Sequence, residues 1–217
     1  MTSTHHMENV TRLPAGVTRE AAVALLQNHD FFLECNPHHI SHKIKPPDVA
    51  ASTAAKAKAH YKLPKDVEPL GSPPVKCYHV VDQVQNSTHN SDVQITDIES
   101  GIFVHIENKG VVVFDTYWII RESPKQTKEG EEEEDSGLEL VQDATMSAVT
   151  LILLNFVKGQ VKKNRGGIHK MIVERLVKDR DEASGATTAA AANPAPVSTS
   201  AETSATATAD VAATAPA

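Results

Sequence analysis

One apolar stripe near the C-terminus most constrains how this chain can fold. Its residues recur at the three- and four-residue intervals that place side chains on one face of a helix. They are Val149, Leu153, Val157, Val161, Ile168, Ile172 and Leu176. The stripe predicts one long helix from Ser147 to about Asp179, roughly 50 Å long at 1.5 Å per residue. Gly166 and Gly167 fall inside it, so we expect a bend or local break there.

The preceding part of the chain shows strand patterns. Runs rich in β-branched residues end at short turns, Ser100-Gly101 and Asn108-Lys109-Gly110, which is typical of an antiparallel meander. Strands are predicted at 7–14, 75–84, 92–99, 102–107, 111–122 and 138–146. A helix that begins after Thr18 and a second short helical turn over 29–36 follow the first strand.

The stretch NPHHISHKIKPP, residues 36–47, raises the question of a metal site. On a helix, His38 and His42 would lie one turn apart and could share a metal ion. On a strand they would be about 13 Å apart at ~3.3 Å per residue, too far for joint ligation. The flanking prolines favour extended backbone. We therefore predict a strand with Ile40 and Ile44 facing the core, a half-exposed histidine edge, and no metal.

Composition excludes several classes of function. The net charge of −7 argues against a nucleic-acid-binding protein, which needs a basic surface. The N-terminus has no apolar leader, and the longest apolar run, 148–157, is far shorter than the ~20 residues that span a bilayer. The two cysteines lack the CxxC spacing. These features predict a cytoplasmic protein with free thiols and no transmembrane segment.

The pattern of composition predicts a single domain with two long loops and two tails. Residues 1–6 are expected to be a disordered N-terminus, and 7–182 the domain. An insertion or loop is expected at 48–74, and a solvated acidic loop at 124–137. The tail 183–217 is rich in Ala, Thr, Ser and Pro and lacks large apolar residues, so we expect disorder.

This order of elements resembles the helix-grip fold of the START-like superfamily, also called SRPBCC, which includes the polyketide cyclase/dehydrase-like proteins. The segments LPAGVTREAAVALLQNHDFFLECNP and NFVKGQVKKNRGGIHKMIVERLV are more narrowly similar to a family of uncharacterised fungal domains. The resemblance covers Val10 to Val177. It implies an α+β fold: a curved antiparallel sheet of about seven strands, two short N-terminal helices and one long C-terminal helix packed on the sheet.

The resemblance also implies a cavity between sheet and helix that holds an apolar small molecule such as a lipid, sterol or polyketide. Strand alternation assigns the faces that would line it. The predicted ligand-binding residues are Tyr78, Val80, Phe103, His105, Phe114, Trp118, Leu140, Leu153, Phe156 and Val157. The same side chains would equally form a filled core. No catalytic residue, metal or cofactor is predicted.

Two other functions stay open on the sequence. A cyclase/dehydratase-type enzyme would need at least two titratable side chains inside the cavity. The candidates within apolar strands are His79, His105, Asp82, Asp115 and Tyr117. A non-enzymatic interaction module would instead use the acidic loop and the tail. The lysines and arginines of the long helix would contact a membrane surface peripherally or simply face solvent.

Overall fold

Seven antiparallel strands and three helices make up the part of the chain that this computed structural model describes, namely residues 3–46, 69–71, 73, 75–84, 86–108, 111–124 and 135–191. In chain order they are β1 (Ser3–Pro14), α1 (Arg19–Gln27), α2 (His29–Glu34), β2 (His39–Ile44), β3 (Lys76–Val84), β4 (Ser87–Ile98), β5 (Gly101–Asn108), β6 (Val112–Glu122), β7 (Asp135–Ala148) and α3 (Leu151–Ala191).

The strands form one sheet in the order β1-β7-β6-β5-β4-β3-β2. Strands β2 to β7 each pair with the next in sequence, because hairpins join most of them, and β1 adds to the free edge of β7. The sheet is curved, and α1, α2 and α3 pack on its concave face. The predicted α+β helix-grip fold is therefore confirmed.

The core fills one end of this concave face. Ile172 and Leu176 of α3 pack there against Leu26 of α1 and against Ile120 and Leu140 of the sheet. Helix α1 begins as the sequence predicts, since the Thr18 side chain accepts a hydrogen bond from the backbone N–H of Ala21. A second, smaller cluster joins Leu154 of α3 to Val112, Met146 and Ala148 at the other end of the sheet.

The first strand and the last helix extend beyond the limits predicted from the sequence. Ser3 to His6 belong to β1, because β7 continues to Ala148 and offers them a pairing partner. At the other end α3 continues to Ala191, into the segment expected to be disordered, where its alanines favour helix. The helix also passes through Gly166 and Gly167 without the expected break.

Several predicted segments lie outside the described residues. These are residues 48–68, 72 and 74 of the insertion at 48–74, residues 125–134 of the acidic loop at 124–137, and 192–217 of the tail. Among the helices that are described, none is long and apolar enough to cross a membrane.

Candidate functional site

A cavity of about 660 Å³ lies between the concave face of the sheet and the first half of α3. It extends to the end of the sheet where β3 meets β4, β5 meets β6, and α3 begins. Apolar side chains at this end are exposed, and Leu151 and Ile152 of α3 are 60% and 84% accessible. The volume lies within the range of roughly 300–1,000 Å³ that small-molecule sites occupy.

Most of the lining is apolar. Strands β5, β6 and β7 supply one side, because their alternate residues point to the concave face, and α3 covers it. We call this surface the apolar wall, and its residues are Val104, Ile106, Val112, Phe114, Trp118, Ala144, Met146, Leu153, Val157 and Val161.

Trp118 marks the deep end of the cavity. Its indole packs edge-on against Phe32 of α2, with ring centroids 5.4 Å apart. On its other side lies His169 of α3 at 5.1 Å, whose Nδ1 is 2.8 Å from the hydroxyl of Thr11. Trp118 is only 3% accessible. The single tryptophan of the chain is therefore held between two helices directly against the cavity.

Five of the predicted ligand-binding residues line the cavity: Val80, Phe114, Trp118, Leu153 and Val157. Two others share the concave face but lie outside the lining. The Tyr78 hydroxyl lies 2.9 Å from Nδ1 of His29, and Leu140 is fully buried in the core. The side chain of Phe156 lies outside the described residues.

The predicted orientation of Phe103 and His105 is wrong. The neighbours of these residues along β5, Ile102 and Val104, belong to the concave core, so strand alternation places Phe103 and His105 on the opposite face. There Nδ1 of His105 lies 2.6 Å from the Asp115 carboxylate. Both Phe103 and His105 are buried in spite of facing outward, which is why their apolar context suggested the interior.

A group of polar side chains that sequence reasoning mostly missed lines the opposite side of the cavity. They come from the connection between α2 and β2, from β3 and from the first half of β4. We call this surface the polar wall, and its residues are Asn36, His38, Asp82, Ser87, His89 and Ser91. The alternation along residues 87, 89, 91 and 93 was a usable signal, but β4 was predicted to begin only at 92.

Asp82 is the centre of the polar wall. Its carboxylate Oδ1 lies 3.8 Å from Nδ1 of His39, beyond hydrogen-bond distance, and both atoms are buried without a hydrogen-bond partner among the described residues. Burial raises the pKa of Asp82, and the imidazoles of His39, His38 and His89 offset part of that effect. Asp82 therefore lines the cavity, while its Oδ1 atom is buried against His39.

His39 is connected to the protein surface through a second histidine. Its Nε2 lies 3.0 Å from Nδ1 of His42, and Nε2 of His42 lies 3.0 Å from Oδ1 of Asp30. The Asp30 side chain is 76% accessible, whereas those of His42 and His39 are 14% and 9% accessible. We call Asp30, His42 and His39 the histidine line.

A β-bulge produces this arrangement and overturns the prediction for β2. The register with β3 shifts between His39 and Ser41, so that His39 and His42 fall on the same face although they are three residues apart. Ile40 and Ile44 are 54% and 65% accessible, so neither is buried in the core as expected. No cluster of three or more His, Cys, Asp or Glu side chains able to hold a metal occurs in the described part of the chain.

Gln142 is the polar exception near the apolar wall. It lines the cavity from β7, opposite Trp118 in the register, and is 8% accessible. Its side-chain oxygen is buried and has no hydrogen-bond partner within the described ranges. Gln142 thus leaves one unsatisfied polar atom next to the apolar wall.

The remaining acid–base candidates lie on the convex face. His79 lies beside Asp92 at 3.5 Å, His105 is bonded to Asp115, and Tyr117 packs against Phe103. Of the candidates named from the sequence, only Asp82 faces the cavity. His38 and His89, which were not among them, are the titratable side chains that join it there.

Comparison with known structures identifies the fold. The chain is similar to two crystal structures described as di-domain ARO/CYC proteins. StfQ, from the steffimycin biosynthetic pathway, is 12% identical with a TM-score of 0.54, over 82% of this chain and 52% of that one. BexL, from the BE-7585A biosynthetic pathway, is 11% identical with a TM-score of 0.51, over 79% of this chain and 49% of that one.

The chain thus spans about half the length of these two proteins, and it has a START-like, SRPBCC-type helix-grip fold. It belongs to the family described as Domain of unknown function (DUF7053), whose model matches residues 2–182. None of the curated proteins compared with the chain matches it.

Proposed function

We propose that this protein binds a hydrophobic small molecule, of lipid, sterol or polyketide type, in the cavity between sheet and α3 and performs no chemistry on it. The observation that carries the proposal is the cavity of about 660 Å³ with its apolar wall. An apolar ligand there would remove that wall from water, which favours binding by roughly 25 cal/mol per Å² of apolar surface buried. The predicted ligand-binding residues that line the cavity would form the contact surface.

The test uses the single tryptophan as an internal reporter. Because pyrene absorbs where tryptophan emits, 1-methylpyrene bound in the cavity should quench Trp118 emission in a saturable way. Ala144→Phe places a ring in the cavity and should abolish saturable quenching. Thr145→Phe, one residue along β7 on the opposite face of the sheet, is the matched control and should bind like wild type. A wild-type protein that shows no saturable quenching refutes the proposal.

A cyclase/dehydratase-type enzyme is the second candidate, and the polar wall favours it. Asp82, which was named from the sequence, and His38 and His89, which were not, supply the convergent titratable side chains that such chemistry requires. Dehydration of a β-hydroxyketone would need a base to remove the proton beside the carbonyl. It would also need an acid to protonate the departing hydroxyl, so that an enone and water form.

This second candidate predicts enone absorbance when the protein is mixed with an aryl β-hydroxyketone. Asp82→Asn should remove the activity. Asp92→Asn, a carboxylate on the opposite face of the sheet that pairs with Lys45 at 2.6 Å, should keep it. If enone forms no faster with the protein than in buffer alone, this reaction is excluded and ligand binding remains as the function.

The other expectations from the sequence stay predictions. A fungal origin, a cytoplasmic location and peripheral membrane contact belong to them. The interaction module rests on the acidic loop and tail, which lie mostly outside the described residues. Its test is separate: deletion of 192–217 should abolish capture of a partner without changing thermal stability.

A further inference from the structure

The first turn of α3 is apolar on its outer side as well as on its inner side. Leu153 and Leu154 pack against the sheet, whereas Leu151 and Ile152 are 60% and 84% accessible. The turn is well formed, because the Thr150 hydroxyl accepts a hydrogen bond from the backbone N–H of Leu153 at 3.2 Å. A helix that rests on a sheet normally presents polar residues on its outer side. Two large apolar side chains held outward at this position indicate a surface that another body covers.

The exposed apolar surface continues onto the start of β6. The backbone N–H of Val149 donates to the carbonyl oxygen of Val111 at 3.2 Å, so the residue before β6 touches the segment that leads into α3. Val111 and Val149 are 41% and 49% accessible. We call Val111, Val149, Leu151 and Ile152 the apolar rim. Because Val111 is exposed and also lines the cavity, the cavity reaches the protein surface at this rim.

The charge of the chain beside the apolar rim is opposite to that of the whole chain. The sequence from 144 to 173 contains no Asp or Glu, although the net charge of the chain is −7. Its basic residues are Lys158, Lys162, Lys163, Arg165 and Lys170. Lys158 and Lys162 follow Leu151 by seven and eleven residues, spacings that place all three on one side of a helix. A basic surface therefore extends along α3 from the apolar rim.

Lys158 and Lys162 are available to an external anion. With His5 and Met7 they line a hollow of about 200 Å³ where α3 lies over β1. No carboxylate pairs with either lysine in the described part of the chain, whereas Lys170 and Lys178 lie 3.7 and 3.8 Å from Glu174 and Glu182. The two lysines nearest the apolar rim thus lack the neighbouring carboxylates that the lysines further along α3 have.

From these observations we propose that the apolar rim docks on an anionic lipid bilayer. Leu151 and Ile152 enter the acyl chains, and Lys158 and Lys162 remain at the lipid phosphates. At 1.5 Å per residue, Lys158 lies about 10 Å along α3 from Leu151. That distance agrees with the depth of about 5–10 Å to which apolar faces of peripheral helices enter a bilayer. The inference goes beyond the proposed function, because it concerns a docking surface and holds whether or not the cavity takes a ligand.

Charge argues against a second copy of the chain as the body that covers the rim. A two-fold symmetric dimer would place the rim of one copy on the rim of the other. The lysines beside each rim would then lie near those of the second copy, and like charges oppose association. An anionic bilayer instead supplies acyl chains for the apolar rim and negative charge for the lysines.

The experiment measures co-sedimentation of the 217-residue chain with sucrose-loaded vesicles. One set contains phosphatidylcholine alone, and the other contains phosphatidylcholine and phosphatidylserine in equal amounts. The wild-type protein should bind the mixed vesicles at least about tenfold more tightly, because each lysine near an anionic surface strengthens binding about fivefold. This preference should weaken when the salt concentration is raised, since salt screens the attraction.

Ile152→Ser tests the apolar contact. The side chain is 84% accessible, so its replacement should leave the fold intact, and it should weaken binding to the mixed vesicles at least about tenfold. Ile44→Ser is the matched control, because Ile44 is also exposed, at 65%. It belongs to β2, four strands from β6 in the sheet, which is about 19 Å at 4.8 Å per strand. This control should bind like wild type.

The double variant Lys158→Gln/Lys162→Gln tests the charge and should remove most of the preference for phosphatidylserine. Lys170→Gln/Lys178→Gln changes the net charge by the same amount on the same helix and is its control. These two lysines lie about 28 and 40 Å along α3 from Leu151, far beyond the Debye length of about 8 Å at physiological salt. The control should therefore keep the preference.

Several outcomes would overturn the docking surface. They are a wild-type protein that does not sediment with the mixed vesicles or binds both sets equally, an Ile152→Ser variant that binds like wild type, and an Ile44→Ser variant that loses as much binding as Ile152→Ser. Analytical ultracentrifugation without vesicles should show a monomer. A dimer that Ile152→Ser dissociates would show that a second copy covers the rim, and it would overturn the proposal as well. None of these results bears on the quenching test of the cavity, so the two proposals fail separately.

Discussion

Replacing Gln142 by methionine should make the protein more stable. The side-chain oxygen of Gln142 is buried and lacks a partner in the described residues, in a region otherwise lined by apolar groups. An unsatisfied buried polar group costs about 1–3 kcal/mol. Methionine has a similar length, adapts to irregular apolar surroundings and carries no such cost. Gln142→Met should therefore raise the free energy of unfolding by about 1–3 kcal/mol.

Gln27 provides the matched control for this prediction. Its amide nitrogen donates to the backbone carbonyl of Ile98 at 3.0 Å, so this glutamine is satisfied. Gln27→Met should lower the free energy of unfolding by about 1 kcal/mol. Urea denaturation followed by circular dichroism measures both, and in thermal melts each kcal/mol corresponds to about 2–4 °C. If Gln142→Met is no more stable than wild type, the reasoning about its oxygen is wrong.

Three further predictions concern stability and reactivity. Gly167→Ala should raise the melting temperature, since alanine is favoured over glycine in helices by about 1 kcal/mol and the added Cβ would meet nothing within 4 Å. Gly101→Ala should lower the melting temperature sharply, because the added Cβ would lie 2.1 Å from the carbonyl oxygen of Trp118. Burial lowers the pKa of His29 below 6.5, so as the pH falls the unfolded state binds the proton first. Urea denaturation should therefore show the free energy of unfolding falling as the pH drops below 6.5. The His29→Phe variant should be less stable than wild type at neutral pH and should show a weaker dependence of stability on pH. Burial raises the pKa of the Cys35 thiol to about 12 and also raises that of Cys77, so both should react with Ellman's reagent only after denaturation; fast reaction of the native protein would contradict their burial.

Much of the fold follows from periodicity alone. Along β6 the residues Val112, Phe114, Thr116 and Trp118 all face the cavity, as the alternation of that strand predicts. The stripe of α3 likewise places Leu153 and Val157 on the side that faces the sheet. The buried face of these elements can be predicted from the sequence because their polar outer face contrasts with their apolar inner face.

The prediction fails where that contrast is absent or where the register changes. Phe103 and His105 are as deeply buried as Ile102 and Val104, so composition could not tell the two faces of β5 apart. In β2 the bulge after His39 shifts the alternation of side chains by one residue. An assignment that lets every second residue face the interior is therefore wrong on one side of the bulge. Bulges depend on pairing with a neighbouring strand, which local sequence does not display.

The bulge in β2 has a consequence for how this chain tolerates change. Ile40 sits within the register shift and is more than half exposed, so its side chain contributes little to packing. Substituting Ile40 by threonine should leave the fold and the histidine line intact. Deleting Ile40 should remove the bulge and leave His39, Ser41 and His42 in regular pairing with Asp82, Val81 and Val80, so His39 should keep its place opposite Asp82. The strand can therefore gain or lose one residue at this position without moving the histidine line to the other face of the sheet.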